Sequence, residues 1–433
     1  MDSTLVFAVL IISDLFLLKM CRLIWKEWSH PVFLIDVFYM ILILVAYSGL
    51  KKYQWSFEGI AWITAALYFL TLGGAFGKQI YQKRRLYDTA ENMVCVCVSN
   101  KAWIFLCAMI ALGMIGWLYQ VVYNGFSLSN FTSIDSLAQM NNSIAVDRYS
   151  GQGKTNAVIK ILNIFLYVGP VCGGFLLPFS ETKKQKRTAV ISMLPIILVM
   201  LFCNGKAGFL ASMILWVSSF LTAYFYIHKQ APVVNIRKLA FYAIMIVLIV
   251  GLLLFTMMLR IGRVDAATFE IVRDKFMVYA FGEIQAFDCW FSTSRTNLEY
   301  SAGVQTFMAV FNTLGIVKRE QGVYGLLPNA LGNVFTLFRG IIEDFGIVGG
   351  LVFVAVCGCF AGYCLEKIRC SVSLPVLPVV TIVGICFFFI YGYIISPWIY
   401  SSFTIMLVGF AYFVLLCKKN NVRIVCGNRR LLG

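Results

Sequence analysis

A series of apolar runs, each long enough to cross a lipid bilayer, dominates this 433-residue sequence. A helix needs about 20 mostly apolar residues to cross the roughly 30 Å of hydrocarbon in a membrane. About eleven such runs lie near positions 4–20, 32–50, 56–76, 101–123, 157–179, 188–204, 207–227, 239–259, 345–364, 375–395 and 401–417. They predict an all-α polytopic membrane protein with about eleven transmembrane helices, in which residues 1–433 form a single integral membrane domain.

Composition excludes a soluble fold. Apolar residues make up 60% of the chain and charged residues only 13%, whereas a soluble domain carries about 25% charged residues. A soluble protein could not hide this much apolar surface from water. The net charge of +16 therefore bears on membrane orientation, and no nucleic acid is expected as a partner.

The lysines and arginines of the short connections fall on one side of an eleven-span arrangement, apart from Lys51 and Lys52. The positive-inside rule makes that side cytoplasmic. Two longer connections, residues 124–156 and 260–344, are then extracytoplasmic. Within the second loop, residues 301–316 are apolar but too short to span, and they predict a re-entrant or interfacial helix.

The large loop gathers charge that the hydrocarbon of a membrane does not tolerate. An ionisable group costs roughly 2.5–3.5 kcal/mol at the centre of a spanning helix, so the segment that concentrates such groups is where chemistry is expected. The strongest local pattern runs from Asn333 to Gly346. In a helix, Arg339 and Glu343 lie one turn apart with Asp344 adjacent. The alternative to a functional site is an interfacial ion pair that ends the helix.

Further candidate groups in the same loop fit an anionic lipid headgroup. Guanidinium groups bind phosphate oxygens in bidentate fashion and stay charged at any relevant pH. They could equally anchor the chain to ordinary lipid headgroups. Glu283 and Asp288 lie among aromatic residues, and apolar surroundings raise a carboxyl pKa toward that of a useful general base. The arginines concerned are Arg260, Arg263 and Arg273.

Several residue types are missing where an enzyme would use them. Histidine occurs only at His30 and His228, both predicted to be cytoplasmic, so an extracytoplasmic step cannot use imidazole. The sequence contains no HExxH motif and no extracytoplasmic cluster of metal ligands. We therefore expect neither a metal nor another cofactor.

The stretch from Asn333 to Gly346, the long loop before it, residues 279–287 and the turn at Lys206 together resemble the bacterial oligosaccharide repeat-unit polymerases, also called O-antigen polymerases. The layout is similar over nearly the whole chain, whereas the shared motif is short. The resemblance implies a multi-span, glycosyltransferase-C-like fold in the bacterial inner membrane. It also implies that undecaprenyl-diphosphate-linked repeat units are joined at the periplasmic face.

Members of this family use arginines from two extracytoplasmic loops. By position, these correspond to Arg148 in loop 124–156 and to Arg260, Arg263 or Arg339 in the large loop. The expected partners are a lipid-linked oligosaccharide, membrane lipid and a chain-length regulator protein. The residues expected to act in catalysis are Arg339, Glu343, Asp344 and Glu283. The residues expected to bind the diphosphate are Arg148, Lys206, Arg260, Arg263 and Arg273.

Two other functions stay open. The related ligases, which attach finished polymer to lipid A core, share the layout but depend on an extracytoplasmic histidine that this sequence lacks. A lipid-linked oligosaccharide flippase or other transporter is expected to show internal repeats and charged residues at the bilayer midplane. Asp14 and Asp36 lie within apolar runs and could mark an ion path, but buried, hydrogen-bonded groups near the span ends are expected there.

Overall fold

A computed structural model of the protein describes residues 3–85, 98–127, 131–150, 156–233, 235–295, 299–318, 324–325 and 327–418. Within these residues the chain forms helices and no β-strand. Nine helical segments there are long and apolar enough to cross a membrane, and two shorter apolar helices lie toward the C-terminal end. The prediction of an all-α, membrane-embedded protein is confirmed.

Each predicted apolar run carries a helix, and three further helices lie between the runs. The helices at the runs are α1 (Ser3–Trp25), α2 (Pro31–Leu50), α3 (Glu58–Arg85), α4 (Asn100–Tyr123), α6 (Ala157–Leu176), α7 (Lys183–Ile191) with α8 (Leu194–Cys203), α9 (Lys206–His228), α10 (Ile236–Ile261), α13 (Leu337–Cys370), α14 (Val376–Tyr391) and α15 (Ser401–Cys417). The additional helices are α5 (Ile134–Tyr149), α11 (Ala266–Ser294) and α12 (Met308–Thr313).

Alternate connections meet at one end of the bundle, which we call the basic end. The Ser29 hydroxyl, after α1, donates to the Pro232 carbonyl oxygen, after α9, at 2.8 Å. The Lys229 ammonium donates to the carbonyl oxygen of Ser371, after α13, also at 2.8 Å. Three of the connections that the sequence analysis predicted to be cytoplasmic, those after α1, α9 and α13, therefore gather at a common end.

The remaining connections meet at the opposite end, which we call the site end. The Leu337 N–H donates to the Gly392 carbonyl oxygen at 2.7 Å, so that α13 begins where α14 ends. The Ser396 hydroxyl donates to the Thr306 carbonyl oxygen at 2.7 Å. The large loop is thereby held against the connection between α14 and α15.

Glycines bring α3 and α13 into very close contact. A Cβ atom on Gly358 of α13 would collide with the carbonyl oxygen of Leu70, and one on Gly362 would collide with that of Gly74. Small residues allow helix backbones to approach in lipid, where packing replaces the hydrophobic effect as the attractive force. This contact fixes α13, and so the start of α13 at the site end, relative to α3.

The large loop is more helical than the sequence predicted. Helix α11 occupies much of it and packs against α2, α3 and α10, with residues 284–291 buried. The interfacial helix expected over residues 301–316 is reduced to the short α12; the residues before it form turns. The apolar-run criterion did not predict α11, because its sequence mixes charged and apolar residues. Which of them are buried depends on contacts with segments distant in sequence.

Helix α13 is kinked at Gly346, whose φ of 77° lies in the left-handed region that favours glycine. Near the kink, the Ser301 N–H donates to the Glu343 carbonyl oxygen at 3.1 Å. Tyr300 packs beside Gly346. The kink therefore separates the first turns of α13, which hold Arg339, from the apolar remainder of the helix.

The loop predicted over residues 124–156 contains α5, which packs against α8 and α10. The Asn141 side-chain amide donates to the Leu201 carbonyl oxygen at 3.0 Å. The Asn142 amide donates to the Arg260 carbonyl oxygen at 2.9 Å. These bonds place α5 beside the site-end terminus of α10.

Candidate functional site

Arg339 lies in the first turn of α13, and three aromatic rings surround its guanidinium group. The guanidinium carbon is 3.7 Å from the ring centre of Tyr324, 4.4 Å from that of Phe335 and 5.1 Å from that of Trp290. Aromatic faces attract cations by about 0.5–2 kcal/mol each. This aromatic cage holds a permanent positive charge in a largely dry position.

Glu343 completes the cage on its polar side. The Arg339 Nε–H donates to Glu343 Oε1 at 2.8 Å, and the two side chains are only 13% and 16% exposed. The predicted pairing of these residues one helical turn apart is confirmed. Arg339 Nη1 is buried and has no hydrogen-bond partner among the described residues. Because an unsatisfied buried donor is costly, this nitrogen is suited to bind an anionic group.

Glu283 lies in α11 at the edge of its buried half. Burial raises the pKa of Glu283 from its ordinary value of 4.5 to about 8. Its Oε2 atom is buried and has no hydrogen-bond partner among the described residues. Burial, and secondly the charge of Glu283, raise the pKa of Tyr393, which follows α14. Glu283 is thus a carboxyl group poised to exchange a proton near neutral pH.

One face of α11 links these groups to a basic cavity. At 3.6 residues per turn, Lys275, Tyr279, Glu283 and Trp290 fall within an arc of about 80° and span about 22 Å along the helix axis. Lys275 and Tyr279 line the cavity, Glu283 follows one turn later, and Trp290 contacts the guanidinium group of Arg339. Along α11, the two cavity residues are therefore followed by Glu283 and then by Trp290, which contacts the caged Arg339 of α13.

The cavity has a volume of about 550 Å³ and lies between α5, α10 and α11. The Arg260 guanidinium carbon is 6.0 Å from the ring centre of Tyr279. Among the described residues none of its lining side chains is acidic. Those residues are Asn142, Ala145, Val146, Ser150, Met257, Arg260, Ile261, Val272, Lys275 and Tyr279. Two cations without a lining carboxylate make an environment that favours anions.

The other predicted basic residues do not line this cavity. Arg263 is exposed. The pKa of Asp265, which precedes the first residue of α11, is lowered mainly by a backbone hydrogen bond from Thr268 and, to a smaller extent, by the Arg263 charge. Arg273 is exposed and pairs with Asp274 at 3.1 Å.

Lys206 and Arg148 were also predicted to bind the diphosphate. Lys206 begins α9, and its ammonium donates to Asn204 Oδ1 in the turn after α8. Arg148 belongs to α5, which lines the cavity, but its side chain lies outside the described part of the structure. Of the basic side chains that the structure describes, Arg260 and Lys275 line the cavity.

Asp344 has a different environment from the one expected of a catalytic base. Its Oδ1 accepts hydrogen bonds from the Ser301 hydroxyl at 2.5 Å and the Gln305 N–H at 2.9 Å, and its Oδ2 accepts one from the Thr306 N–H at 2.7 Å. The residue is buried. With both oxygens engaged in holding the turn before α12, Asp344 has the geometry of a loop anchor.

Asp288 likewise anchors backbone. Its Oδ2 accepts from the N–H groups of Ser56 and Phe57 at 2.6 and 2.9 Å, and its Oδ1 accepts from the Gly59 N–H at 2.9 Å. It therefore satisfies backbone donors at the start of α3. Of the carboxyl groups considered from the sequence, only Glu283 and Glu343 face the line of groups on α11.

Sequence reasoning did not assign roles to the aromatic cage, to Lys275 or to Gln285. The Gln285 side chain binds the 327–333 segment, donating to the Asn329 carbonyl oxygen and accepting from the Leu331 N–H, both at 3.0 Å. Phe335 precedes Arg339 by four residues, which was the one local signal for the cage. The contributions of Trp290 and Tyr324 depend on folding of the whole loop.

Among the residues that the structure describes, no three His, Cys, Asp or Glu side chains are grouped so as to hold a metal ion. His30 is buried at the basic end, beside the Trp25 ring at 3.8 Å between ring centres. His228 ends α9 at the same end.

Comparison with protein-family models, curated proteins and solved structures found no match to this chain. The resemblance to the repeat-unit polymerases therefore stays a prediction from the sequence.

Proposed function

We propose that this protein is a glycosyltransferase that polymerises oligosaccharide repeat units carried on undecaprenyl diphosphate. The reaction is placed at the site end of the bundle, which corresponds to the periplasmic face of a bacterial inner membrane. The product is O-antigen or a related surface polysaccharide. A chain-length regulator protein is the proposed partner.

The observation that carries the proposal is the order of groups along α11. A cavity whose described lining includes two cations and no carboxylate suits a lipid-borne diphosphate, a dianion or trianion at neutral pH. The buried carboxyl of Glu283 lies next along the helix, and the caged guanidinium of Arg339 lies beyond it. A diphosphate site, a proton acceptor and a second cation are the parts that glycosyl transfer from a diphosphate requires.

The proposed reaction transfers the donor glycan from its diphosphate to the acceptor sugar. The hydroxyl oxygen of the acceptor sugar forms a bond to the anomeric carbon of the donor glycan, and the bond from that carbon to the diphosphate oxygen breaks. The electron pair leaves with the diphosphate, whose charge Arg260 and Lys275 stabilise at the cavity. The hydroxyl proton passes to the ionised carboxylate of Glu283.

Arg339 is proposed to position the acceptor glycan or to bind its anionic groups through Nη1, while the aromatic cage offers ring faces to sugars. Preorganised charges act strongly in water-poor sites because they need no reorientation during reaction. Two lipid-tethered substrates confined to one membrane also gain effective concentration. Glu343 keeps the guanidinium oriented, and Asp344 keeps the preceding turn in place.

A transporter is the second candidate, favoured by the buried carboxyl groups of α1 and α2. Asp14 accepts a hydrogen bond from the Thr64 hydroxyl at 2.9 Å, and Asp36 accepts one from Thr71 at 2.8 Å. One oxygen of each has no hydrogen-bond partner among the described residues. A ligase is disfavoured because both histidines lie at the basic end.

The distinguishing experiment is an electrophoretic separation of lipopolysaccharide from a strain lacking the gene and from the complemented strain. A polymerase predicts a single band of core plus one repeat unit in place of the ladder. Loss of all substituted core would instead support the ligase or the flippase. These two differ in whether lipid-linked polymer accumulates on the outer leaflet.

A further inference from the structure

Gln285 is a fully buried amide in the second half of α11. Its Nε2 donates to the carbonyl oxygens of Asn329 and Gln54, at 3.0 and 2.8 Å, and its Oε1 accepts from the Leu331 N–H at 3.0 Å. A buried amide is tolerated when its donors and acceptor are satisfied. Gln285 therefore ties residues 327–333, which we call the anchored segment, to one point of α11.

The anchored segment carries two rings of the aromatic cage near its ends. Phe335 comes two residues after Asn333, and the Tyr324 N–H donates to the Asn333 carbonyl oxygen at 3.2 Å. The ring centres of Phe335 and Tyr324 lie 4.4 and 3.7 Å from the guanidinium carbon of Arg339. Detaching the segment from α11 would therefore move both rings away from Arg339.

The anchored segment has no regular structure to hold it in place. Residues 327–335 form neither helix nor strand, and Asn329, at the exposed turn of the segment, has a φ of 65° in the left-handed region. Backbone groups outside helices and strands depend on other partners for their hydrogen bonds. Segments of this kind open locally at a lower free energy than the surrounding helices. The bonds to Gln285 are therefore decisive for the position of the segment.

Gln285 acts on Arg339 only through this segment. Five residues at 100° per residue place Gln285 about 140° around α11 from Trp290, the cage residue of the same helix. The Arg339 guanidinium group contacts Trp290 and the Glu343 carboxylate. The anchored segment joins the two faces of α11, because it is bound at Gln285 and brings its rings to the face of Trp290.

We infer that Gln285 is a positioning residue for the proposed glycosyl transfer, holding Tyr324 and Phe335 against Arg339 so that the guanidinium group is correctly oriented for the acceptor glycan. The inference rests on the proposed function. Arg339 stays the residue that contacts substrate, and Gln285 contributes by fixing two walls of its cage.

The test is a double-mutant cycle in the purified full-length protein in nanodiscs. Gln285→Leu keeps a similar volume but removes the three hydrogen bonds. We expect it to slow the extension of synthetic lipid-linked repeat units about tenfold per folded molecule, which is within the range of coupling between residues of one network. In the Arg339→Ala protein the same substitution should cause no further loss, because the group that it positions is absent.

Gln120→Leu is the matched control. The Gln120 amide donates to Asn163 Oδ1 at 2.6 Å and so joins α4 to α6, away from the cage. Any effect of Gln120→Leu on the rate should be the same factor with and without Arg339, since independent sites are additive.

Cys289 reports on the anchor without any measurement of activity. Its side chain is buried, and its sulfur lies 3.6 Å from the Asn329 carbonyl oxygen. Burial raises the pKa of the Cys289 thiol to about 11 from its ordinary 9.0, so little reactive thiolate is present. We expect maleimide to label Cys289 about tenfold faster in Gln285→Leu, which is part of the roughly 100-fold gain in thiolate on full exposure. Gln120→Leu should label like the wild type.

The possible failures differ from one another. An equal loss of rate from Gln285→Leu with and without Arg339 would overturn the inference, because Gln285 would then act elsewhere. Unchanged labelling of Cys289 in Gln285→Leu would show that the amide does not hold the segment. If the wild-type protein extends no chains while Cys289 responds as expected, the proposed function is wrong. The role in glycosyl transfer then falls with it, although the anchor itself stands.

Discussion

Removing Arg339 and Glu343 separately and then together distinguishes a functional arginine from a structural one. Their side chains are 13% and 16% exposed and their charged atoms are 2.8 Å apart. Removing one partner of a buried pair costs about 3–5 kcal/mol, whereas replacing both by apolar residues is often nearly neutral. We expect Glu343→Ala to be the less stable single variant. Glutamate can take up a proton when it is left alone, but a guanidinium group cannot lose its charge.

The activities should not follow the stabilities. A substrate that is misplaced by about 1 Å reacts about 10²-fold more slowly, and the aromatic cage cannot replace the charge that positions the acceptor glycan. Arg339→Ala and the double variant should therefore both extend chains about 100-fold more slowly per folded molecule. Glu343→Ala should keep most of its chain extension per folded molecule, because it retains the guanidinium group.

Stability can be measured as the denaturation midpoint of purified variants in nanodiscs, and chain extension as polymer length in complemented cells, normalised to folded protein. Arg237→Ala serves as the control, because it removes an exposed arginine at the basic end. The reasoning is refuted if the double variant regains both wild-type stability and wild-type polymer length. Arg339 would then serve only to neutralise Glu343.

Four further results are expected. The rate of chain extension should rise with pH through about 8, where Glu283 ionises. Glu283→Gln should abolish both the activity and this rise. A rise that persists in the variant would show that another residue is the base. The pKa of the Glu283 carboxyl is near 4.5 in the unfolded chain and about 8 in the folded protein. Between these pH values unfolding releases a proton, so the free energy of unfolding falls as pH increases. Glu283→Gln should flatten that fall in denaturation experiments. Gly358→Ala should lower the free energy of unfolding by about 1–3 kcal/mol, because the new Cβ collides with the Leu70 carbonyl oxygen. Gly251→Ala, the control, has open space around it and should not. Equal denaturation midpoints for the two variants would contradict the close contact between α3 and α13. Asp344→Asn should destabilise the protein and leave the pH dependence of chain extension unchanged, and a shifted pH profile would return Asp344 to the list of proton acceptors.

The apolar helices were predictable from the sequence because membrane spanning imposes a length and a composition on a continuous segment. The pairing of Arg339 with Glu343 was predictable for a similar reason, since it depends only on helical spacing. Both are local properties. Helices α5 and α11 were not found in advance, because their mixed composition does not mark which face other helices will cover.

The structural and functional roles of the carboxyl groups could not be predicted from the sequence. Glu283 and Asp288 lie five positions apart in the same aromatic stretch, yet Asp288 binds backbone N–H groups before α3, while one oxygen of Glu283 has no partner among the described residues. The difference arises from contacts with segments more than 200 positions away. The kink at Gly346 similarly turns Asp344 toward the turn before α12, away from the role that its neighbour Glu343 takes.

The most direct test of the proposed function is a reaction of the purified protein with synthetic repeat units linked to undecaprenyl diphosphate. The account predicts lipid-linked oligosaccharides of two or more units, together with one undecaprenyl diphosphate released for each bond formed. Both products should be lost in Glu283→Gln and should form about 100-fold more slowly in Arg339→Ala. Recovery of the substrate unchanged from wild-type protein that binds it, or its movement across the vesicle membrane without bond formation, would contradict the account.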